Sequence, residues 1–191
     1  MQVETGHSKL TYDDLLRLPD DGLRHEIIDG EHYVTAAPNR RHQELVGRLY
    51  LAIGNYLASR PGTGRLFLAP FDVVLSFYDV VEPDLLFIAA SQSDILTEKN
   101  VQGPPALVIE VMSKSTRKRD AQIKRRLFER TGVKEYWLVD PELDSVQVLR
   151  PSAAGKLVRV DELSAEDDAT LTSPLLPGCT ISVRLLFSDP A

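Results

Sequence analysis

Apolar residues recur along the chain at two spacings, one typical of helices and one typical of strands. Recurrence every three or four positions predicts three helices, over residues 12–18, 40–59 and 116–131. Thr11 precedes the first helix as a capping residue, and Gly132 follows the third, where a left-handed residue commonly ends a helix. Short apolar runs predict strands, at residues 26–28, 32–35, 66–68, 71–77, 80–88, 106–112, 135–139, 146–149, 157–160 and 180–185.

Turn sequences indicate how some of these strands are connected. Asp29-Gly30 separates the first two strands and is a strong signal for a β-hairpin. Asp140-Pro141 marks a turn between two later strands. The chain has few predicted helices and no internal repeat, and we expect the ten strand-like runs to give seven to nine strands, so the pattern predicts a mixed α/β fold.

Composition changes this picture little, because the chain has the make-up of an ordinary soluble globular protein. Its 191 residues are 43% hydrophobic and 26% charged, which favours one domain with a full core. The single cysteine, Cys179, excludes an internal disulfide framework and multi-cysteine zinc modules. No apolar run approaches the ~20 residues that span a bilayer. No apolar signal region begins the chain, so we expect a cytoplasmic protein without membrane contact.

Charge is distributed unevenly along the chain. The formal net charge is -6, which argues against a protein that coats nucleic acid by bulk charge. Residues 114–130 nevertheless carry eight basic and two acidic side chains, a net +6, so the remainder carries -12. This basic segment is either a solvated helix face or a local surface that binds anions.

Two carboxylates interrupt apolar runs that are expected to form buried central strands. Asp84 follows Pro83 within one run, and Glu110 lies in the middle of another. An ionised carboxylate is costly to bury unless it is paired or binds a metal ion. Each acid alone fits an exposed strand end or a structural ion pair, whereas two on separate strands favour a joint site.

The third predicted helix places two charges among its core residues. On a 100° wheel Asp120 and Lys124 share a stripe with Leu127 and Phe128, while most basic residues, Arg119 among them, lie opposite. The two residues form either an internal ion pair or a group in which Lys124 reaches Glu110 and Asp84. In the second predicted helix His42 leads the apolar stripe, as either a core-edge residue or a functional one.

These residues, taken in order, resemble a known family of proteins. The matching segments are Glu26-x-x-Asp29-Gly30, His42, Pro83-Asp84, Leu107-Val108-Ile109-Glu110-Val111, Ser113-x-Ser115-Thr116, Asp120-x-x-x-Lys124, Gly132-Val133-x-Glu135-Tyr136-Trp137 and Val139-Asp140-Pro141. Together they look like the Uma-two family, a bacterial branch of the PD-(D/E)XK nuclease superfamily. The resemblance covers residues 10–187, which we expect to form a single restriction-endonuclease-like domain with flexible tails at residues 1–9 and 188–191.

The resemblance implies a fold and a catalytic site. The implied fold is a mixed α/β restriction-endonuclease-like core, with a central mixed β-sheet flanked by helices and additional β-hairpins. The implied catalytic residues are Glu26, Asp84, Glu110 and Lys124, with His42 and Asp120 as auxiliary residues. Asp84, Glu110 and the carbonyl of Val111 would bind Mg²⁺ or Mn²⁺, since hard cations prefer oxygen ligands.

Two positions qualify the match. The superfamily's usual lysine position, two after the glutamate, is Met112 here, which supports migration of the active-site lysine to Lys124. Lys114 stands where the family usually has proline, and it adds a charge near the site.

The function implied by the resemblance is metal-dependent hydrolysis of nucleic-acid phosphodiester bonds, most readily in DNA, by a homodimer. Backbone contacts would come from the basic segment, at Lys114, Arg117, Lys118 and Arg125. Two alternatives stay open: a catalytically silent module that binds DNA or protein, and a hydrolase that acts on another substrate with the same acids. The net charge predicts weak and salt-sensitive non-specific DNA binding.

Overall fold

The computed structural model describes residues 9–188, and the predicted tails lie outside that range apart from Lys9 and Ser188. The described residues form four α-helices: α1 (Tyr12–Leu15), α2 (Arg40–Ala58), α3 (Arg125–Thr131) and α4 (Val183–Phe187). A π-helical turn, Arg119–Lys124, leads directly into α3, and a 3₁₀ segment covers Ala90–Ile95. The strands are β1 (Arg24–Ile28), β2 (Glu31–Thr35), β3 (Gly64–Leu68), β4 (Val73–Ser76), β5 (Asp79–Val81), β6 (Leu85–Ala89), β7 (Val101–Gln102), β8 (Leu107–Val111), β9 (Glu135–Asp140), β10 (Ser145–Pro151), β11 (Leu157–Ser164), β12 (Thr170–Thr172) and β13 (Thr180–Ser182).

These strands form two principal sheets and one hairpin-like pair. The large sheet has six strands in the order β11-β10-β9-β8-β6-β3, and only its β8–β9 pair is parallel among the described strands. The small sheet has five strands in the order β2-β1-β5-β4-β7. Strands β12 and β13 pair with each other. The prediction of a mixed α/β fold with a mixed central sheet and few helices is confirmed.

Helices cover both faces of the large sheet, so its central strands are buried on each side. One core contains Leu45, Leu49 and Ile53 of α2, packed against alternate residues of the central strands such as Ile109. The other core contains Leu127 and Phe128 of α3 with the intervening residues, such as Val108. Because strand side chains alternate between faces, Glu110 points toward the π-turn and α3 side, like Val108.

The strand predicted over residues 80–88 is two strands belonging to different sheets. Strand β5 ends at Val81 in the small sheet, and β6 begins at Leu85 in the large sheet. The link between them is Glu82-Pro83-Asp84, and Pro83 lacks the N–H that a continuous ladder requires. The prediction of one continuous strand was therefore wrong, and Asp84 lies at the junction of the sheets.

Several other elements are shorter or more numerous than the pattern predicts. The described residues contain thirteen strands rather than seven to nine. Short strands such as β7 and β12 span only two or three residues, too few to give a periodic pattern in the sequence. The first helix ends at Leu15, and the run at residues 180–185 changes from strand to helix at Val183. In the described part of the chain, every helix is too short or too polar to cross a bilayer.

Candidate active site

The four predicted catalytic residues meet where the two sheets join. Glu26 comes from β1 of the small sheet, Asp84 from the link between sheets, Glu110 from β8 of the large sheet, and Lys124 from the end of the π turn. Each of the four is at most 3% exposed. Residues separated by up to 98 positions in sequence are therefore brought together in the interior.

Lys124 bridges the two sheets by contacting an acid from each. Its Nζ lies 2.6 Å from Oε1 of Glu26 and 2.6 Å from Oε1 of Glu110. Asp120, one turn earlier, has its Oδ1 4.0 Å from the same nitrogen. The other strong contact of Glu26 Oε1 is the backbone N–H of Glu82, which donates to it at 2.9 Å. The lysine thus balances several acids rather than forming a simple pair.

Asp84 has partners at both of its oxygens. Arg24 donates from Nη1 to Oδ1 at 2.8 Å, while the Val111 N–H and His42 Nε2 reach Oδ2 at 2.8 Å and 3.0 Å. Burial alone would raise the pKa of this carboxyl, but the hydrogen bond and charge of His42, together with Arg24, hold the pKa well below its ordinary value. Asp84 is therefore an anion whose orientation is set by its neighbours.

The pKa values of Glu110 and Lys124 are both raised, for different reasons. Burial raises the pKa of Glu110 above its ordinary value, Lys124 opposes this, and Asp120, Asp84 and Glu26 add to it as like charges. Burial alone would lower the pKa of Lys124, but Glu110, Glu26 and Asp120 raise the pKa of its ammonium above the ordinary value. The lysine is thus a permanent cation in an interior that holds an excess of acids.

Arg119 joins this centre, contrary to the prediction that it faces solvent. Its Nη1 lies 3.7 Å from Oε2 of Glu26, its Nε lies 4.0 Å from Oδ1 of Asp120, and its side chain is 11% exposed. The 100° wheel fails here because a π turn places residues five apart on one side, and Arg119 is five before Lys124. The wheel's placement of Asp120 and Lys124 among core residues agrees with their burial.

Arg24 is a second site residue that the sequence analysis missed. Its Nη1 also donates to the carbonyl of Glu82, at 3.2 Å, so it ties the strand β1 to the link that carries Asp84. The sequence carries one usable signal. Arg24 and Glu26 are two residues apart in one strand, so their side chains lie on the same face. The prediction of Glu26 in the site therefore also places Arg24 there.

The donor set of the centre fits a hard divalent cation, although its present arrangement is closed by basic side chains. Carboxylates of Asp84 and Glu110 are the oxygen ligands that Mg²⁺ and Mn²⁺ prefer. Oε2 of Glu26 and Oδ1 of Asp120 are buried and have no hydrogen-bond partner among the described residues. As arranged here, no three His, Cys, Asp or Glu side chains of the described residues form a ready ligand set. The acids suit a cation, and accommodating one requires Lys124 or Arg24 to shift.

A cleft of about 600 Å³ opens above the centre. Asp84, Glu110, Asp120 and Lys124 lie along its lining, as do Arg24, His42 and Arg119. Segments 36–39 and 112–116 form its two walls, together with Pro141 and Glu142. The cleft therefore connects the solvent with Asp84, Glu110, Asp120 and Lys124.

Only one of the four predicted nucleic-acid contacts, Lys114, lines the cleft. Lys114 stands at the cleft, with its side chain 89% exposed and Nζ 3.6 Å from Glu142. Arg117 instead pairs with Asp140 and Glu142, and Arg125 donates to the carbonyl of Leu157 at 3.1 Å. Lys118 is outside the cleft lining, so the structure brings only Lys114 of this set to the site.

Comparisons with known proteins agree with this architecture. Residues 12–184 match the model of the Uma2 family (the Uma-two family above), which is described as "Putative restriction endonuclease". The chain therefore belongs to the Uma2 family. No curated protein sequence matches it.

A solved structure is similar over nearly its whole length. It is described as a "putative nuclease belonging to DUF820" from Anabaena variabilis. The two chains superpose with a TM-score of 0.77 and share 20% identity, over 93% of this chain and 97% of that one. At this identity the likeness shows the shared fold.

Proposed function

We propose that the protein is a metal-dependent endonuclease that hydrolyses phosphodiester bonds in nucleic acid, with DNA as the expected substrate. Membership of the Uma2 family and the fold shared with a nuclease support the class of activity. The observation that carries the proposal is the position of Lys124 Nζ, 2.6 Å from acids of two different sheets, beside Asp84 at the floor of a cleft. Four ionisable groups of catalytic type are thus concentrated at one point beneath the cleft.

Asp84, Glu110 and the Val111 carbonyl would hold the cation, Mg²⁺ or Mn²⁺. Such an ion, when bound, neutralises charge on the phosphoryl oxygens and makes a water molecule more acidic. Oε2 of Glu26 and Oδ1 of Asp120 support the assignment, because they accept no hydrogen bond and meet basic groups only at 3.7 Å and 4.0 Å, so a bound cation would balance their buried negative charge more closely.

The protein's own groups have separable roles in this proposal. Lys124 carries a permanent positive charge and would donate hydrogen bonds to the attacking water or to a phosphoryl oxygen as negative charge develops. Glu26 holds that ammonium in place through its contact at 2.6 Å. His42 and Arg24 fix the orientation of Asp84, and Asp120 lies 4.0 Å from Lys124 as an auxiliary acid.

The direct test is cleavage by purified protein in Mg²⁺ or Mn²⁺, using supercoiled plasmid and labelled oligonucleotides. We expect wild type to nick or cut, and Asp84→Ala, Glu110→Ala and Lys124→Ala to be inactive. Circular dichroism at the assay temperature verifies that each variant is folded. Equal cleavage by wild type and all three variants would identify a contaminant or a different site.

A catalytically silent module is the second candidate, favoured by one observation: Arg24 and Lys124 already occupy the acids. Calorimetric titration with Mn²⁺ separates the candidates, with Asp84→Asn as the control. Binding by wild type that the variant lacks supports the enzyme. Absence of binding in both supports the silent module, and cleavage of small phosphodiesters alone would point to a different hydrolase.

We also propose that residues 10–187 are one domain and that the protein acts as a homodimer. Limited proteolysis should trim only the termini, leaving one resistant fragment. Light scattering at micromolar concentration should return twice the chain mass of 21.3 kDa. A monomer at every concentration would refute the dimer.

A further inference from the structure

The cleft above the acids is small compared with a nucleic-acid duplex. Its volume of about 600 Å³ equals that of a cube with edges of about 8 Å. Pockets of this size receive small molecules, whereas the major groove of a duplex alone is about 12 Å wide. Resting on the proposed nuclease function, we infer that the cleft receives an unpaired strand, so that the substrate class is single-stranded or flapped nucleic acid.

The depth of the acids supports this inference. The side chains of Asp84 and Glu110 are 3% exposed and that of Lys124 is 2% exposed, so their reactive atoms lie at the floor. A phosphate in an intact duplex is flanked by base-paired neighbours that would meet the cleft walls first.

Local hydrogen bonds order each of the two walls. On one side, Asn39 caps α2 by accepting from the His42 N–H at 2.9 Å. On the other, the Ser113 N–H donates to Thr116 Oγ1 at 3.1 Å, and the Thr116 N–H donates to Ser113 Oγ at 3.2 Å. Each wall is therefore held in its local conformation by its own hydrogen bonds.

The lining offers charge to a strand but no stacking platform. Arg24 and Arg119 lie along the cleft, and Lys114 stands at its mouth with an exposed side chain. No Phe, Tyr or Trp is among the described lining residues. Because base-edge contacts supply base preference, a strand held through its phosphates should be bound independently of sequence.

Binding is measured first, without divalent cations, so that the result does not depend on catalysis. Fluorescence anisotropy in EDTA and low salt compares a labelled 20-nucleotide strand with the blunt duplex of the same sequence. We expect the single strand to bind at least tenfold more tightly, because each opened base-pair step costs the duplex about tenfold. Equal or tighter binding of the duplex overturns the inference.

Cleavage then separates the inference from the proposed function. In Mn²⁺, we expect cuts in the single strand and in the unpaired arm of a flapped duplex, with the fully paired region spared. Cleavage of duplex and single strand at equal rates would overturn the inference and leave the nuclease function standing. Preferential single-strand binding with no cleavage of any substrate would support the inference and overturn the function.

A pair of lysine variants locates the bound strand. Lys114→Ala removes the charge at the cleft mouth, and Lys134→Ala removes an exposed charge beside the opposite end of the parallel strands β8 and β9. If Lys114 contacts one phosphate, its loss should lower the slope of log K against log salt by about 0.7, while Lys134→Ala leaves it unchanged. Equal effects of the two variants, or no effect of Lys114→Ala, would place the strand elsewhere.

Discussion

Glu110 and Glu135 are two buried glutamates on adjacent parallel strands, and their surroundings differ in a way that separates a site from a structural pair. Each oxygen of Glu135 has its own partner: Trp137 Nε1 donates to Oε1 at 2.7 Å and Arg150 Nε to Oε2 at 2.6 Å. Glu110 instead shares Lys124 with Glu26 and lies beside further acids. Glu135 points toward the α2 side with Trp137, and Glu110 toward the π turn.

Burial alone therefore does not identify a functional acid, because Glu110 and Glu135 are both buried and differ in their partners. A carboxylate whose oxygens are separately satisfied is complete without a ligand. A group of acids in which two share Lys124, while Oε2 of Glu26 and Oδ1 of Asp120 accept no hydrogen bond, is not complete. Such incompleteness is the property expected of a site that binds a further ion or substrate.

The largest expected effect comes from removing the charge of each glutamate in turn. Glu110→Gln keeps the side-chain shape but should lower the single-turnover cleavage rate about 1,000-fold, the scale of losing one electrostatic catalytic group. Glu135→Gln should leave that rate unchanged, because its oxygens face away from the cleft. Similar losses in both variants would mean that the two acids do not differ as described.

Removing the ammonium of Lys124, which Glu26 and Glu110 share, should have the next largest effect, a loss of stability. Lys124→Met leaves Glu26 and Glu110 without their common partner, and breaking a buried ion pair destabilises by about 3 kcal/mol. Urea unfolding without divalent cations measures this loss. The double variant Glu26→Gln/Lys124→Met should recover part of it, and unchanged stability in Lys124→Met would show that the lysine does not balance the acids.

A smaller loss is expected at the structural glutamate. Arg150→Ala removes the partner of Glu135 Oε2, and a hydrogen bond to a charged group contributes about 2 kcal/mol. The cleavage rate of the folded fraction should stay at the wild-type value. A lower cleavage rate in Arg150→Ala, measured at a temperature below its unfolding transition, would connect the pair formed by Glu135 and Arg150 with the site.

The smallest effect is expected at an exposed glutamate that pairs with a lysine, Glu129 with Lys156. This pair sets the lower limit for the stability that an ion pair of a glutamate contributes here. Lys156 Nζ lies 2.8 Å from Glu129 Oε1, but the lysine is 71% exposed. Lys156→Ala should destabilise by about 0.5 kcal/mol, and 1 M NaCl should abolish the difference. A salt-independent loss as large as that of Arg150→Ala would show that the pair is more shielded than its exposure indicates.

The fold class and the positions of the principal acids could be predicted because they depend on local pattern. The run around Glu110 is apolar on both faces, which predicts a buried strand, and the wheel placed Asp120 and Lys124 inward, where both are buried. The catalytic and metal-binding roles of these residues remain predictions. The fold prediction is confirmed, since strand alternation and helical spacing reflect burial directly.

The features that could not be predicted depend on departures from regular geometry or on distant partners. The π turn rotates Arg119 into the site, and no periodic pattern announces it. The break at Pro83 divides one apolar run between two sheets. Glu110 and Glu135 lie in similar apolar runs, and only three-dimensional contacts with Arg150 or Lys124 distinguish them.

The backbone N–H groups that donate to the site acids allow NMR spectroscopy to follow the state of those acids. The Val111 amide donates to Asp84 Oδ2 at 2.8 Å and the Glu82 amide to Glu26 Oε1 at 2.9 Å. An amide proton bonded to a carboxylate changes its NMR chemical shift when that carboxylate gains or changes a partner. These two resonances therefore report separately on the link between the sheets and on the small sheet, each read from a nucleus that takes no part in the chemistry.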